Sequence, residues 1–441
     1  MSRQLNYQPT KPPTRLHHRA TVRAFLALAD QGVVSVATFL TGMLTARAAG
    51  TKDSIALYYL ALTLWVVIGE VGNSLVSTPH MIRSPKLSGT RLHQFNGAML
   101  MLQLILSVGL TLLVVIASIF AAMDGAHELA MMLLLTGLCA APITLRNFAR
   151  NFSFARHDTL GAFALDLGVS VLQLGLVALL YVNHQLTWWH ALLIVGVANL
   201  VGAFAFLGAL RDLFKIKRLR AVASIRKSWN DSKWLLASSL TWTAGTYLYP
   251  WVVLLISGRA EAAVWGVCFQ LAAVGNPLVM AVQNFLGPQI AHAHNTHDTA
   301  GFRKYVLSAT GLFALAILPV SIVMAVASPF LLPKLYGDQF IGNAETASTL
   351  VFAMLFTAIS FGVSRGLFSL NRARLDLYAN AFPIIVLVTV GVILVWQKGA
   401  AGAAMALLVG LGLACAFRTI AFLRISHRSR VKVALPIGGV V

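Results

Sequence analysis

The sequence predicts an all-α membrane protein in which twelve transmembrane helices form two six-helix lobes. The first observation is composition: of 441 residues, 58% are hydrophobic and only 11% are charged, whereas soluble domains carry about 25% charged residues. The second is a series of apolar segments of membrane-spanning length. The third is a one-sided distribution of basic residues among the loops between these segments. Together they exclude a soluble globular protein.

Twelve apolar segments are long enough to cross the hydrocarbon core of a bilayer, which is about 30 Å thick and takes about 20 helical residues. A polar connection at 211–233 separates them into two sets of six. The sets cover 24–46, 55–80, 95–121, 129–146, 159–182 and 188–210, then 234–257, 263–287, 305–328, 345–364, 376–396 and 401–423. We therefore expect an N-terminal lobe over 24–210 and a C-terminal lobe over 234–423.

The basic residues predict the orientation of the chain. If all twelve segments span the membrane, 29 of the 34 Lys and Arg residues lie on one side, together with both termini. Basic loops remain in the cytoplasm, so we predict a multi-pass membrane protein with cytoplasmic tails at 1–23 and 424–441 and a cytoplasmic basic linker at 211–233. Topology thus explains the net charge of +20, and no nucleic-acid partner is expected.

A short repeat supports the two-lobe prediction. The phrases "VGNSLV" at 71–76 and "VGNPLV" at 274–279 occur in the second span of each set. Repeated halves with a binding site between them are an architecture of secondary transporters.

Three acidic residues, Asp30, Glu70 and Asp166, lie well inside predicted spans. At 1.5 Å per helical residue they lie about 22–25 Å from the predicted outer ends of their helices, so they share one depth. Acids inside a membrane are functional by default, and we predict that Asp30, with Glu70 or Asp166, forms a proton-coupling or cation site. The alternative is that each acid only bonds to neighbouring side chains. The C-terminal lobe shows no equivalent, because its nearest acid, Asp376, is expected at the mouth of a helix.

Several segments resemble the polysaccharide-type (Wzx/PST-like) oligosaccharide flippases of the MATE-like MOP exporter superfamily. They are "LADQGVVSVATFLTGMLTARAAGTKDSIALYYLALTL" from Leu28, "RNFARNFSFARHDTLGAFALDLGVSVLQL" at 146–174 and "GRAEAAVWGVCFQLAAVGNPLVMAVQNFLGPQIA" from Gly258. The resemblance implies a location in the bacterial inner membrane. It also implies alternating access by two lobes that move lipid-linked oligosaccharide to the outer leaflet for exopolysaccharide or O-antigen synthesis. The implied partners are this substrate, membrane lipids and other polysaccharide-assembly membrane proteins. No cofactor is implied.

An acidic glycan or a lipid pyrophosphate favours arginine, whose guanidinium pairs with two oxygens. Arg47 and Arg365 are the predicted arginine ligands, whereas Arg146 and Arg150 are interpreted mainly as membrane anchors. Aromatic rings and carboxamides that suit sugars complete the candidate set: Trp242, Tyr247, Tyr249, Gln270, Asn276, Gln283 and Asn284. Interfacial anchoring and helix–helix hydrogen bonding are the alternatives for this group.

One further function class remains open from the sequence, and another is not predicted. A MATE-like proton- or sodium-coupled exporter of small amphipathic cations fits the three intramembrane acids. An enzyme is not predicted, because the predicted outer loops are short and the sequence has no P-loop, no G-x-S-x-G and no H-E-x-x-H. No metal site is predicted either, since the histidines of "HAHNTH" at 292–297 lack an accompanying set of cysteines or carboxylates.

Overall fold

All regular secondary structure of the described chain is helical, which confirms the all-α prediction. The computed structural model describes residues 14–215, 218–296, 298–370 and 372–428. Side chains are described from Phe25 onward, apart from those of 218–228 and a few later positions. Most of the predicted cytoplasmic tails therefore lies outside the described residues or side chains.

Seven helices make up the described N-terminal half. They are α1 (Thr14–Ala48), α2 (Lys52–Gly72), α3 (Thr78–Arg83), α4 (Gly89–Met123), α5 (His127–Ala155), α6 (Thr159–Val182) and α7 (Trp188–Ala209). A π-helical turn at Asn73–Ser77 joins α2 and α3 into one continuous segment. This half therefore contains six helical segments at the positions of the six predicted spans.

Eight helices make up the described part of the C-terminal half. They are α8 (Arg218–Tyr247), α9 (Tyr249–Ser257), α10 (Arg259–Ala272), α11 (Asn276–Thr296), α12 (Thr299–Tyr336), α13 (Ala344–Ser369), α14 (Ala373–Val386) and α15 (Val392–Arg428). A helical turn also joins α14 to α15 at Leu387–Gly391. The chain turns back within α15 at Gly399, where φ is 56° and ψ is −130°. A Cβ atom on Gly391 would lie 3.3 Å from that of Ala406, so the two arms pack side by side.

Ten segments of the described chain are long and apolar enough to cross a membrane. Two features account for the difference from the twelve predicted spans. The segment Arg374–Ser426 counts once although it is folded at Gly399 into two arms. The seventh predicted span, 234–257, is divided at Leu248 because Pro250 begins a new helix. The twelve-span prediction is thus consistent with the structure.

The basic linker differs from the expected polar connection, because α8 runs without interruption from Arg218 in the linker to Tyr247 in the seventh span. Its sequence "RLRAVASIRKSW" contains neither Pro nor Gly, so no residue stops the helix at the membrane surface. The internal repeat also has a structural counterpart. "VGNSLV" contains most of the π-helical turn Asn73–Ser77, and "VGNPLV" overlaps the 3₁₀ turn Ala273–Gly275.

Buried apolar side chains form three clusters in the described chain. The largest lies at the predicted outer end and is shared by the two halves, with Ile55 and Leu60 from one and Trp265 and Leu332 from the other. Toward the predicted cytoplasmic end each half has its own cluster, one around Phe148 and others, and one around residues 302–317. The halves are thus packed together at the predicted outer end and have separate cores at the other.

Candidate functional site

A cavity of about 600 Å³ lies between the halves. Its walls come from α1, α2 and α4–α7 on one side and from α8–α10 on the other. The shared apolar cluster closes it at the predicted outer end, near Tyr59. Toward the predicted cytoplasmic end it reaches Ser77 and Asn151. The cavity is thus closed by the shared cluster at one end and extends at the other toward the region where the two cores are separate.

Carboxamides are numerous on the cavity wall. Seven of them line it, six from the N-terminal half and one from the C-terminal half: Asn73, Gln103, Asn147, Asn151, Gln173, Asn199 and Gln270. A carboxamide offers both N–H donors and an oxygen acceptor. Such a wall is suited to a ligand that carries many hydroxyl groups.

Aromatic rings surround the closed end of the cavity. They are Tyr58, Tyr59, Trp65, Tyr247, Trp265 and Phe269. The rings of Trp265 and Phe269 are stacked at 6.2 Å, and Tyr247 meets Phe269 edge-on at 5.7 Å. Aromatic faces of this kind contact apolar faces of a ligand, including those of sugar rings.

Two arginines of α5 join two buried aspartates beside the cavity. Arg146 Nη2 lies 2.7 Å from Asp166 Oδ1, and Arg150 Nε lies 2.7 Å from Asp166 Oδ2. Arg150 also donates to Asp30 Oδ2, through Nε at 3.1 Å and through Nη2. Both aspartates are 0% exposed, whereas both arginines line the cavity. These four side chains are called the ion-pair cluster below.

The ion-pair cluster follows from helix geometry. Arg146 and Arg150 are four residues apart, so they project from the same face of α5. Asp30 in α1 and Asp166 in α6 reach this face because α6 packs against both α1 and α5. A buried charge without a counter-charge costs several kcal/mol. The two arginines thus act as counter-ions within the protein, rather than as the surface anchors that the sequence analysis favoured.

The ion-pair cluster has unused hydrogen-bonding capacity. Asp30 Oδ1 and Arg146 Nε are buried and have no hydrogen-bond partner in the part of the chain that the structure describes. The formal charges of the four side chains cancel when both aspartates are ionised. Protonation of either carboxylate would therefore leave an excess positive charge on the arginines that line the cavity. In this arrangement, binding of a proton to Asp30 or Asp166 would change the net charge of the cavity wall that contacts a ligand.

Glu70 lies apart from the ion-pair cluster. It lines the cavity from α2 and accepts a hydrogen bond from Ser74 Oγ at 3.3 Å. No described cation forms an ion pair with it. Of the three predicted coupling acids, the structure thus brings Asp30 and Asp166 together and places Glu70 separately.

Two of the predicted substrate ligands line the cavity, namely Tyr247 and Gln270. Arg47 does not, because it lies at the predicted outer end, where its Nη2 donates to the backbone oxygen of Lys334 at 2.5 Å. Arg365 does not line the cavity either. It lies near the C-terminal end of α13, where its guanidinium is 4.6 Å from the ring centre of Phe361. These two arginines are therefore outside the cavity in this conformation.

Four of the remaining predicted ligands, whose side chains the structure describes, also lie away from the cavity wall. Tyr249 is fully buried and donates to the backbone oxygen of Pro383 at 2.9 Å. Trp242 lines a small separate crevice. Asn276 and Gln283 are not among the lining residues, and the side chain of Asn284 lies outside the described residues.

A second buried charge network, which the sequence analysis missed, lies in the C-terminal half. Arg418 donates from Nε to Asp376 Oδ1 at 2.7 Å, from Nη1 to Ser360 Oγ at 2.8 Å and from Nη2 to Asn380 Oδ1. Ser364 Oγ also donates to Asp376 Oδ1, at 2.7 Å. Asp376 is 6% exposed and Arg418 is 8% exposed.

This network corrects two expectations. Asp376 is not an acid at an open helix mouth, and the C-terminal half does contain a buried acid. Arg418, which is one of the 29 basic residues assigned to the cytoplasmic side, is not a surface residue, because its guanidinium is held inside the half. The available signal was the spacing of Asp376 and Asn380, which puts both on one face of α14.

The fold can be compared with solved structures. An inward-facing structure of a multidrug resistance MATE family transporter of the MOP superfamily is similar over 91% of this chain and 96% of its own, with a TM-score of 0.75 and 15% identity. The chain has the MATE-type fold. This confirms the predicted fold class.

Two further neighbours with the MATE-type fold differ in state or in pocket. An outward-facing structure of a multidrug resistance MATE family transporter of the MOP superfamily is similar over 96% of this chain and over 100% of the neighbour's chain, with a TM-score of 0.66 and 15% identity. A MOP superfamily transporter from Pyrococcus furiosus, described by a reverse polarity of its binding pocket, has the same coverage and identity and a TM-score of 0.62. No family model matches the chain, and no curated protein sequence matches it.

Proposed function

We propose that this chain is a secondary transporter that moves lipid-linked oligosaccharides across the bacterial cytoplasmic membrane by alternating access. The observation that carries this proposal is the composition of the cavity wall, where six carboxamides and two guanidiniums of the N-terminal half line the space between the halves. Carboxamides match glycan hydroxyls, and guanidiniums match phosphate or carboxylate oxygens. A MATE-type fold is not tied to one substrate, as the neighbour with reversed pocket polarity illustrates.

The ion-pair cluster supports a coupling role for Asp30 and Asp166 within this proposal. Both carboxylates are buried and share one guanidinium, that of Arg150. A proton or a small cation on either carboxylate weakens an ion pair and changes the charge of the cavity wall. Such a change, linked to conformation, is the physical requirement for coupling transport to an ion gradient.

Deletion of the gene is expected to abolish the surface or secreted polysaccharide, and a plasmid copy should restore it. Asp30→Asn, which keeps the size of the side chain but removes its charge, should lower polymer export by about tenfold or more. Asp53→Asn, an exposed aspartate at the start of α2, is the matched control and should export normally. Polymer must be compared at equal membrane levels. Unchanged polymer in the deletion strain would rule out the oligosaccharide substrate.

A second candidate function is export of small amphipathic cations. Glu70 favours it, because this acid lines an aromatic cavity and has no described cationic partner. If cations are the substrate, Glu70→Gln should raise sensitivity to cationic dyes by about tenfold, which corresponds to about 1.4 kcal/mol of binding. Dye sensitivity and polymer export, measured in the same strains, distinguish the two candidates. For an oligosaccharide flippase, Glu70→Gln should leave dye sensitivity at the wild-type level.

A further inference from the structure

The closed end of the cavity contains a polar contact between the halves that is built around one side chain. Gln270 of α10 donates from Nε2 to the backbone oxygens of Thr38 at 3.2 Å and of Phe39 at 3.1 Å, both in α1. Its Oε1 accepts from Tyr59 Oη and, at 3.3 Å, from Tyr336 Oη. Three of these four partners belong to the opposite half. The carboxamide thus connects α10 to both α1 and α2.

All four hydrogen-bonding positions of this carboxamide are used. A glutamine amide has two N–H donors and an oxygen with two lone pairs, and each of these has a partner at the closed end. The backbone oxygens of α1 each have a second lone pair, so they accept from Gln270 without giving up their helical bonds. No donor or acceptor of Gln270 is left for a substrate in this conformation.

Two glycines allow the halves to approach this closely. A Cβ atom on Gly42 of α1 would lie 2.4 Å from Gln270 Nε2, and one on Gly266 of α10 would lie 2.4 Å from Cγ of Tyr59. Real Cβ contacts are not this short. A larger residue at Gly266 would therefore push α10 away from Tyr59, and a larger residue at Gly42 would displace the carboxamide of Gln270. We call Gly42, Tyr59, Gly266 and Gln270 the outer seal.

We propose that Gln270 is the gate residue of the outer seal, and that its hydrogen bonds must break before the cavity can open at the predicted outer end. This inference rests on the alternating access of the proposed function, but it is independent of the substrate. It also replaces the sequence-based role of Gln270 as a substrate ligand. When the outer seal opens, α10 leaves α1 and the carboxamide loses three of its four partners together.

Another contact between the halves is less suited to this role. Arg259 and Glu128 form an ion pair across the halves, but their side chains are 31% and 65% exposed. Exposed ion pairs of this kind contribute little because water and salt screen them. The outer seal lies below such contacts, next to the cavity itself.

Accessibility from outside the cell tests the gate. Val66 lines the cavity, is 37% exposed and lies seven residues inward from Tyr59, which is about 10 Å along α2. A Val66→Cys reporter should react slowly with a membrane-impermeant maleimide added to right-side-out spheroplasts. Adding Gln270→Ala or Gly266→Ala should raise this rate by about tenfold, because each weakens the closed form. The chain without Val66→Cys gives the background from its three native thiols, all of which are buried.

Gln283→Ala is the matched control, because Gln283 belongs to the same predicted span but does not line the cavity. It should leave the labelling rate unchanged. Labelling of the reporter in inside-out vesicles shows whether each variant is folded. Equal outside labelling with and without Gln270→Ala and Gly266→Ala, in folded protein, would overturn the gate. A loss of polymer export in Gln270→Ala at unchanged labelling would instead return Gln270 to the role of substrate ligand.

The assay contains no substrate, so its outcome and that of the polymer experiment are separate. If the Gln270 and Gly266 variants raise the labelling rate but deletion of the gene leaves the polymer unchanged, Gln270 remains the gate and the oligosaccharide substrate is rejected. If deletion abolishes the polymer but these variants do not change the labelling rate, the oligosaccharide substrate remains and Gln270 is rejected as the gate.

Discussion

Replacement of Arg150 by leucine is expected to lower the free energy of unfolding by about 3–5 kcal/mol. The reason is that Asp30, which is 0% exposed, loses the charged donor that the structure gives it, and Asp166 loses one of two. Breaking a buried ion pair from one side leaves an uncompensated charge in a place that water cannot reach. The measurement is denaturant unfolding of the purified protein in detergent micelles.

A charge-balanced variant separates the ion pair from the loss of packing. With Arg150→Leu and Asp30→Leu together, Arg146 and Asp166 still form their contact at 2.7 Å. More than half of the lost stability should therefore return, because the two substitutions are coupled. Arg156→Leu, at an exposed position just after α5, is the control and should cost less than about 1 kcal/mol. Equal losses for Arg150→Leu and Arg156→Leu would contradict the buried pairing.

The same charge-balanced variant bears on transport. If the ion-pair cluster only stabilises the N-terminal half, the double variant should regain polymer export along with its stability. If the cluster couples transport to an ion, the double variant should be stable and still inactive. Stability and activity therefore give different answers for a structural and a functional cluster.

Asp376→Leu is the second substitution for which we expect a large effect, also about 3–5 kcal/mol. It leaves the guanidinium of Arg418 buried, with only the neutral partners Ser360 and Asn380. It also removes the acceptor of Ser364 Oγ. Thermal unfolding of the detergent-solubilised protein, compared with wild type, measures the loss.

Two further variants make this prediction specific. Asp376→Leu combined with Arg418→Leu should be more stable than Asp376→Leu alone, since no unpaired charge then remains inside the half. Arg424→Leu removes an exposed arginine six residues further along α15 and should change stability by about 0.5 kcal/mol or less. If the double variant proved less stable than Asp376→Leu alone, the network would not be held by its charge pair.

These two networks have a common arrangement. Each half contains arginine and aspartate buried together in the portion of its helices that lies toward the predicted cytoplasmic end. There the halves have separate apolar cores. Charge pairs within each half stabilise that half independently of the contact between the halves. Under the alternating access that we propose, movement would fall on the interface that contains the outer seal, rather than on the interior of either half.

Composition and the local order of residues are enough to predict which segments are helical. Long apolar segments must be helical inside a bilayer, because only helices and closed barrels satisfy their own backbone groups there. The positions of those segments and their division into two sets of six therefore follow from the order of the residues. The same reasoning identified Asp30 and Asp166 as unusual, since an ionisable group in such a segment is expensive wherever it points.

Which of these groups meet depends on the tertiary structure. Arg150 and Asp30 are 120 residues apart, and the residues next to either one do not distinguish an arginine that faces lipid headgroups from one that faces a buried acid. For the same reason the local pattern predicts a membrane anchor at Arg146 and a substrate ligand at Gln270, and it does not indicate the pair of Arg418 with Asp376. A side chain's surroundings depend on which helices pack against its own. That packing results from many weak contacts spread over the whole chain, and no short stretch of sequence contains them.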